Sequence, residues 1–197
     1  MSFAEPLLLA LDPSASAEAL RRSPVLLAAS VRRRPVTRTV RLSFFDTPAG
    51  DLARRGLALG LYESGRRRLR IVRRLDGYAA AAVPVHDQPA DGTSVPGLAG
   101  LDLGPDADAI AAALRPVAEA RLRRTVWTLA YLSAHLLLVL DDGDLAAHGR
   151  CEPVRDVTLL HQSGPADALE DFARTLAASV PLVPRTQRLE QRACTAG

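Results

Sequence analysis

The sequence predicts an α+β fold built on an antiparallel sheet large enough to close or stack. Three observations carry this expectation. Strand-like runs dominate, and they arrive as neighbouring pairs joined by short turns. Three or four helical patterns stand between them. No linker separates two cores, so one domain over residues 1–184 with a surface tail at 185–197 is expected.

The elements follow in order. Pro6–Leu11, "PLLLAL", reads as a first strand. "DPSASAEALRRSP" supplies helix-start chemistry, with Asp12, Ser14 or Ser16 available as a cap and Pro24 as the stop. Arg38–Thr47 alternates as a strand should. "PAGDLARRG" is a short helical turn, with Pro48 near its start and Gly56 at its end. Leu57–Glu63 and Arg67–Arg74 form a β-hairpin that turns at Ser64-Gly65, and "YAAAAVPV" extends the sheet. Gln88–Asp106 is rich in Gly, Pro and Asp and reads as a loop. "DADAIAAALRPV" is a helix that ends near Pro116. "ARLRRTVWTLAYL" and "AHLLLVLDDGDLAA" make a second hairpin, and "EPVRDVTLLHQSG" another strand. In "PADALEDFARTLAASV", Leu169, Phe172, Leu176 and Val180 fall on one helical face, with acids in the first turns where the dipole favours them. "PLVPRTQRLEQRACTAG" reads as a proline-rich surface tail.

Composition bounds the function. Of 197 residues, 48% are hydrophobic and 24% charged, as in ordinary globular proteins. No apolar run reaches the roughly 18 residues that span a bilayer. The N-terminus has no signal-peptide pattern, and the two cysteines make neither a disulfide framework nor a metal cluster, so a cytoplasmic setting is expected. All 25 basic residues are arginine. That excludes any mechanism needing a lysine ammonium and leaves planar, bidentate anion recognition open. A formal charge of +3 does not argue for nucleic acid.

Several clusters admit a plain reading beside a functional one. Arg66–Arg68, Arg70, Arg73 and Arg74 could line an anion groove, but such a run is more often a solvated strand face. Arg32–Arg34 reads as surface. Asp141, Asp142 and Asp144 could bind a cation, although Asp-Asp-Gly-Asp after a strand reads more simply as a turn. His86, His135, His148 and His161 show no ligand spacing, Trp127 and Tyr131 read as packing residues, and Cys151 and Cys194 as inert thiols.

Five stretches then carry a family resemblance: "LDPSASAEALRRSP", "FFDTPAGDLARRGLALGL", "PVAEARLRRTVWTL", "LLLVLDDGDLAAHGRCEPV" and "LEDFARTLAASVPLVP". In this order the chain resembles CYTH domains, the triphosphate tunnel superfamily of inorganic triphosphatases, thiamine triphosphatases and class IV adenylate cyclases. It looks most like the bacterial branch often fused to a CHAD domain, although no CHAD segment follows in this sequence. The resemblance implies an eight-stranded antiparallel β-barrel with helices packed outside. Inward Arg and Lys there hold a triphosphate, and inward Glu residues hold a divalent metal. Such a site works by charge neutralisation, with hard oxygen ligands on Mg²⁺ or Mn²⁺ and guanidinium groups on phosphate.

Carried over residue by residue, that chemistry is mostly missing. The "LDP" after the first strand places the family's Glu-x-Glu-x-Lys on Ala4, Pro6 and Leu8. Glu5 lies one position off, on the other face. The Arg-x-Arg after "RRGLAL" is replaced by Gly60 and Tyr62. The resemblance leaves Arg73, then Arg121, Arg123 and Arg124, and finally Arg188 as candidate ligand-binding residues, with the strand parity of the middle three open. Asp141 and Asp156 are weak metal candidates, because the later Glu-x-Glu falls on Asp156 and Thr158. The expectation is a degenerate CYTH-like domain without catalytic residues, cofactor or metal. It would serve as a phosphoanion- or polyphosphate-binding module or as a protein-interaction module. Its partner would be a phosphate-rich anion, a protein or a second copy, with neither membrane nor nucleic acid expected. The alternative is a residual metal-dependent triphosphatase acting on tripolyphosphate or nucleoside triphosphates.

Overall fold

A computed structural model describes residues 5–75, 86–89, 98, 101 and 103–194. Ala4 and the stretch Tyr78–Val85, expected to extend the sheet, lie outside the described residues. The strands are β1 Leu7–Leu11, β2 Val36–Asp46, β3 Leu57–Ser64, β4 Arg67–Arg74 and β5 His86–Pro89, followed by β6 Arg115–Tyr131, β7 Ala134–Ala147, β8 Arg150–Ser163 and β9 Leu182–Pro184. They form one sheet in the order β5-β4-β3-β2-β6-β7-β8-β1-β9. The pairs β1–β8, β1–β9, β2–β3, β3–β4 and β4–β5 are antiparallel. Among the described residues there are eight strands and a short ninth, and their sheet is not closed by hydrogen bonds, because β5 and β9 stand at its two edges.

The helices are α1 Ala17–Arg21, α2 Pro24–Ala29, α3 Asp51–Arg54, α4 Ala107–Ala113, α5 Ala168–Ala177 and α6 Leu189–Cys194. Among the described residues, no helix is long and apolar enough to cross a membrane.

Local chemistry explains most boundaries. The Ser16 hydroxyl oxygen accepts from the Ala19 N–H at 3.0 Å and caps α1. Pro24 does not end the helical stretch. It opens a second helix at a position where its missing N–H costs nothing, and Ser23 caps that helix. Two-residue turns with positive φ close two hairpins: Leu132-Ser133 between β6 and β7, and His148-Gly149 between β7 and β8. The Asp141–Asp144 run is no turn; it lies within β7. The expected loop Gln88–Asp106 contains the end of β5 and a 3-10 turn at Gly104–Asp106. The expected tail carries β9 and α6, and Leu189, Ala193 and Cys194 are buried. Its prolines suggested a tail, but proline is tolerated on an edge strand.

Contacts group the chain into two compact units. In the unit made of Met1–Arg38, Leu122–Gly143 and Pro153–Thr186, α1, α2 and α5 pack on one sheet face. Leu20, Leu26 and Phe172 meet Trp127, Leu138 and Leu159 there. Tyr131 and Phe172 stack edge-to-face with centroids 5.2 Å apart. In the unit made of Thr39–Arg121, Asp144–Glu152 and Gln187–Gly197, Leu52 of α3 and Ile110 of α4 pack on Phe45, Leu59, Leu61 and Val72.

Candidate functional site

Alternation along each strand separates the face covered by helices from the face opposite, where the family places its chemistry. In the first unit, Leu11, Trp127, Leu138 and Leu159 belong to the helix-covered core. The opposite face therefore carries Leu8 and Ala10 of β1, Arg124 of β6, Asp141 of β7, and Asp156 and Thr158 of β8. The cross-strand pairs Leu8↔Thr158 and Ala10↔Asp156 agree with this parity.

This parity separates the three candidate arginines of β6. Arg124 shares a face with Asp141, and the two meet in a fork: Nε to Oδ1 at 2.7 Å and Nη2 to Oδ2 at 2.7 Å. Arg121 and Arg123 lie on the other parity and are exposed, with Arg121 also bonded to Glu119 at 2.6 Å. Asp156 is held by a residue the sequence reading did not single out. Arg185 donates to its Oδ1 through Nε at 3.1 Å and Nη2 at 3.0 Å. The Arg185 backbone N–H bonds Leu8 O at 2.9 Å, so the β1–β9 pairing aims this guanidinium at Asp156. A basic residue just beyond a short apolar pair, "LVPR", was the available signal.

Both candidate metal carboxylates are thus side chains of bidentate or forked ion pairs, 13% and 14% exposed. Glu152, a third acid of β8, is bonded to Arg192 at 2.7 Å. No group of three His, Cys, Asp or Glu that could hold a metal occurs among the described residues. A hard cation needs several free oxygens. Asp141, with both oxygens accepting from Arg124, and Asp156, with its Oδ1 accepting twice from Arg185, do not supply that set.

In the second unit the corresponding face is apolar. On β3, Leu59 and Leu61 join the core under α3 and α4, so Ala58, Gly60 and Tyr62 face the other way. Gly60 pairs with Phe44 and Ile71, and Tyr62 with Leu42 and Leu69. Val40, Leu42, Phe44 and Ala58 are buried, at 0%, 6%, 2% and 2% exposure. Where the resemblance implies an Arg-x-Arg clamp, this chain has a buried, mostly apolar strip. Arg73 shares this face as the partner of Ala58, and its Nη1 donates to Val72 O at 3.5 Å. Arg188 lies just before α6, where its N–H bonds the Gln191 side chain at 2.8 Å. Within their own units Arg124 and Arg73 thus lie opposite the helices, Arg121 and Arg123 take the other parity of β6, and Arg188 precedes α6.

The most specific family stretch, "FDTPAGDLARRG", has a structural role here. The Asp46 carboxylate is buried and accepts from the N–H groups of Thr47, Leu52 and Ala53 at 2.7, 2.9 and 3.0 Å. Thr47 Oγ1 donates to the Asp51 carboxylate and accepts from the Asp51 N–H at 3.1 Å. The Thr47 bond, opposed by burial and helped by the charges of Arg54 and Arg55, holds the Asp51 carboxyl below its ordinary value. The loop thus satisfies the start of α3 and fixes how β2 enters β3.

Two further features were not legible in the sequence. Arg41 is gripped by Glu119, with Nε to Oε2 at 2.9 Å, and Glu63 lies 4.0 Å from its Nη1. Burial pushes the Glu119 carboxyl up, but bonds from Arg41 and Arg121 outweigh this and hold it below its ordinary value. An open cleft of about 880 Å³ is lined by Asp46, Thr47, Arg54, Arg115, His148 and Cys194 together with neighbouring apolar residues. Burial, then the charges of Asp46 and Glu190, pushes the Cys194 thiol up to about 12.

No family model and no curated protein matches this chain. Solved structures do. The Hippeastrum protein HpAC1, a candidate adenylyl cyclase with a dominant triphosphatase activity, superposes with a TM-score of 0.61 at 16% identity, covering 93% of this chain and 91% of that one. A candidate adenylate cyclase of Bacillus halodurans gives a TM-score of 0.54 at 14% identity, covering 99% of this chain and 100% of that one. At such identities the likeness concerns architecture. The antiparallel sheet and these superpositions together show that the chain has the triphosphate tunnel fold, shared with these two solved structures.

Proposed function

We propose that this chain is a non-catalytic CYTH-like module, one domain over residues 1–184 with 185–197 as its C-terminal extension, acting by binding in the cytoplasm. The observation that carries the reading is the pairing of Arg124 with Asp141 and of Arg185 with Asp156. The residues best placed to hold metal neutralise arginines instead, so neither charge is offered to a metal triphosphate. Phosphoryl transfer needs positioning and charge neutralisation, and little else from the protein. A chain that spends its charges internally lacks both.

Between the two binding roles, protein interaction is favoured because Val40, Leu42 and Phe44 are buried beside Gly60 and leave no charged lining for a phosphate chain there. A triphosphate gains nothing from such a surface and would lose its hydration there. The second reading, a phosphate-rich anion held without metal, is supported by the exposed guanidinium groups of Arg121 and Arg123.

The test is calorimetric titration of the purified chain with tripolyphosphate, with and without Mg²⁺. The expected result is no saturable heat in either condition. Metal-independent binding that Arg121→Ala and Arg123→Ala weaken would favour the second reading. Binding that requires Mg²⁺ and is followed by phosphate release would overturn the proposal.

A further inference from the structure

We propose that one end of the first unit docks peripherally on an anionic lipid surface. Five large apolar side chains are exposed among the described residues: Leu27, Val31, Val36, Leu132 and Val183, at 54%, 57%, 40%, 62% and 38%. Three of them fall within ten residues, and the same stretch holds Arg32, Arg33 and Arg34, all exposed. Isolated exposed aliphatics are ordinary, but a cluster interleaved with arginine is not.

The chain geometry makes this stretch a projection. Ser30 bridges Leu129, and the Val31 N–H bonds Thr128 O at 2.9 Å. Thr37 then meets Thr125 hydroxyl to hydroxyl at 3.2 Å. Residues 31–36 therefore span the same length of β6 as residues 126–128 and must bow outward. Leu132 stands at the tip of the β6–β7 hairpin, three residues beyond Leu129 and so about 10 Å further along the strand. It holds φ at 46°, an uncommon conformation for a branched residue, with its side chain in solvent.

The stretch itself carries no acid, although α1 and α5 beside α2 carry Glu18, Glu170 and Asp171. No acid occurs between Glu18 and Asp46, nor between Glu119 and Asp141. The acid joined to this end by a hydrogen bond is Asp171, which accepts from Tyr131 at 2.7 Å and is itself paired with Arg174 at 3.1 Å.

The occupant follows from combining the two chemistries. A phosphate polyanion would engage the arginines and leave the aliphatic tips in water. Projecting tips rather than a groove suit insertion between lipid headgroups, where the aliphatics leave water while the arginines answer the anionic surface. No membrane partner is expected from the sequence, where no apolar run is long enough to span a bilayer, but peripheral contact needs no such run. None of these residues belongs to the candidate site.

The experiment is vesicle co-sedimentation of the full chain. Vesicles of equal parts phosphatidylglycerol and phosphatidylcholine are compared with pure phosphatidylcholine. Binding is expected on the anionic vesicles and should fall as salt rises. Combined Arg32→Ala, Arg33→Ala and Arg34→Ala should weaken it roughly a hundredfold, about fivefold for each charge. Leu27→Ser with Val31→Ser should weaken it as well, and both variants should melt like the parent because these side chains are exposed. A Val31→Trp variant adds an insertion readout beside the buried Trp127: its emission should shift to the blue on anionic vesicles only. No partition onto anionic vesicles would overturn the proposal. So would partition unaffected by the aliphatic changes, or binding to polyphosphate or an acidic polypeptide with none to vesicles.

Discussion

Gly60 offers the sharpest perturbation, because alanine and arginine should act there in opposite directions. A Cβ built on Gly60 meets Phe44 Cδ1 at 3.6 Å, Ser43 O at 3.6 Å and Phe44 Cε1 at 3.7 Å, all ordinary van der Waals contacts. Gly60→Ala therefore fits, and removing a flexible glycine from a strand should stabilise by about 0.5–1 kcal/mol. Gly60→Arg restores the family residue but sends a guanidinium among Phe44, Leu42 and Ile71. The acid of that parity on β2, Asp46, has its oxygens committed to Thr47, Leu52 and Ala53. Arg73, beside Ala58 on the same face, adds a like charge. An unpaired buried charge costs roughly 3–5 kcal/mol, a large share of the 5–15 kcal/mol typical of a domain. With a urea slope near 2 kcal/mol/M, the midpoint should fall by about 2 M. The assay is equilibrium urea unfolding of parent, Gly60→Ala and Gly60→Arg by circular dichroism. A Gly60→Arg protein as stable as the parent, with tighter tripolyphosphate binding, would refute the claim that this face is packed shut.

Further outcomes follow from the ion pairs and the thiols. Asp141→Ala should cost about 1–3 kcal/mol, between the values for exposed and buried pairs, because Arg124 loses its fork. A double-mutant cycle with Arg124→Ala should recover much of that as coupling energy, and a coupling near zero would count against the pair. Glu119 has a folded pKa below its unfolded one, so its contribution is present above about pH 4.5 and is lost as pH falls through the folded value. The melting difference between the parent and Glu119→Gln should accordingly vanish on acidification, and a difference that grows would reverse the sign of the argument. In the native protein Cys151, which is exposed, should alkylate at pH 8, while Cys194, pushed up to about 12 and buried, should react only on unfolding. Two equally fast thiols by mass spectrometry would contradict the burial of α6.

Much of the fold was legible because its signals are local. The Ser16 cap, the period of Leu169, Phe172 and Leu176, and the alternation in β6 and β7 are each set by neighbours in sequence. Pro24 misled because proline both ends one helix and opens another, and only the register of Ser23 decides. The aspartates of β7 misled because turn propensity yields when tertiary partners exist: Asp141 and Asp142 each find an arginine, Arg124 and Arg21. The site was legible in its losses, such as Gly60 and Thr158, and not in its pairings. Arg185 reaches Asp156 across 29 positions, and no local pattern announces that contact. Strand parity, open in the sequence, became readable once Trp127 and Leu129 were seen in the core, because that places Arg124 on the opposite face.

The most direct test of the central claim is phosphate release. Tripolyphosphate and nucleoside triphosphates would be incubated with the unmodified chain across a range of Mg²⁺ and Mn²⁺ concentrations. Asp141 and Asp156 are occupied by Arg124 and Arg185, and the clamp position is Gly60. Losing one preorganised charge contact commonly costs 10²–10³ in rate, and several are replaced here. The account predicts release at the uncatalysed background with every substrate and metal. Turnover above about 1 s⁻¹, an ordinary enzyme rate, would contradict it.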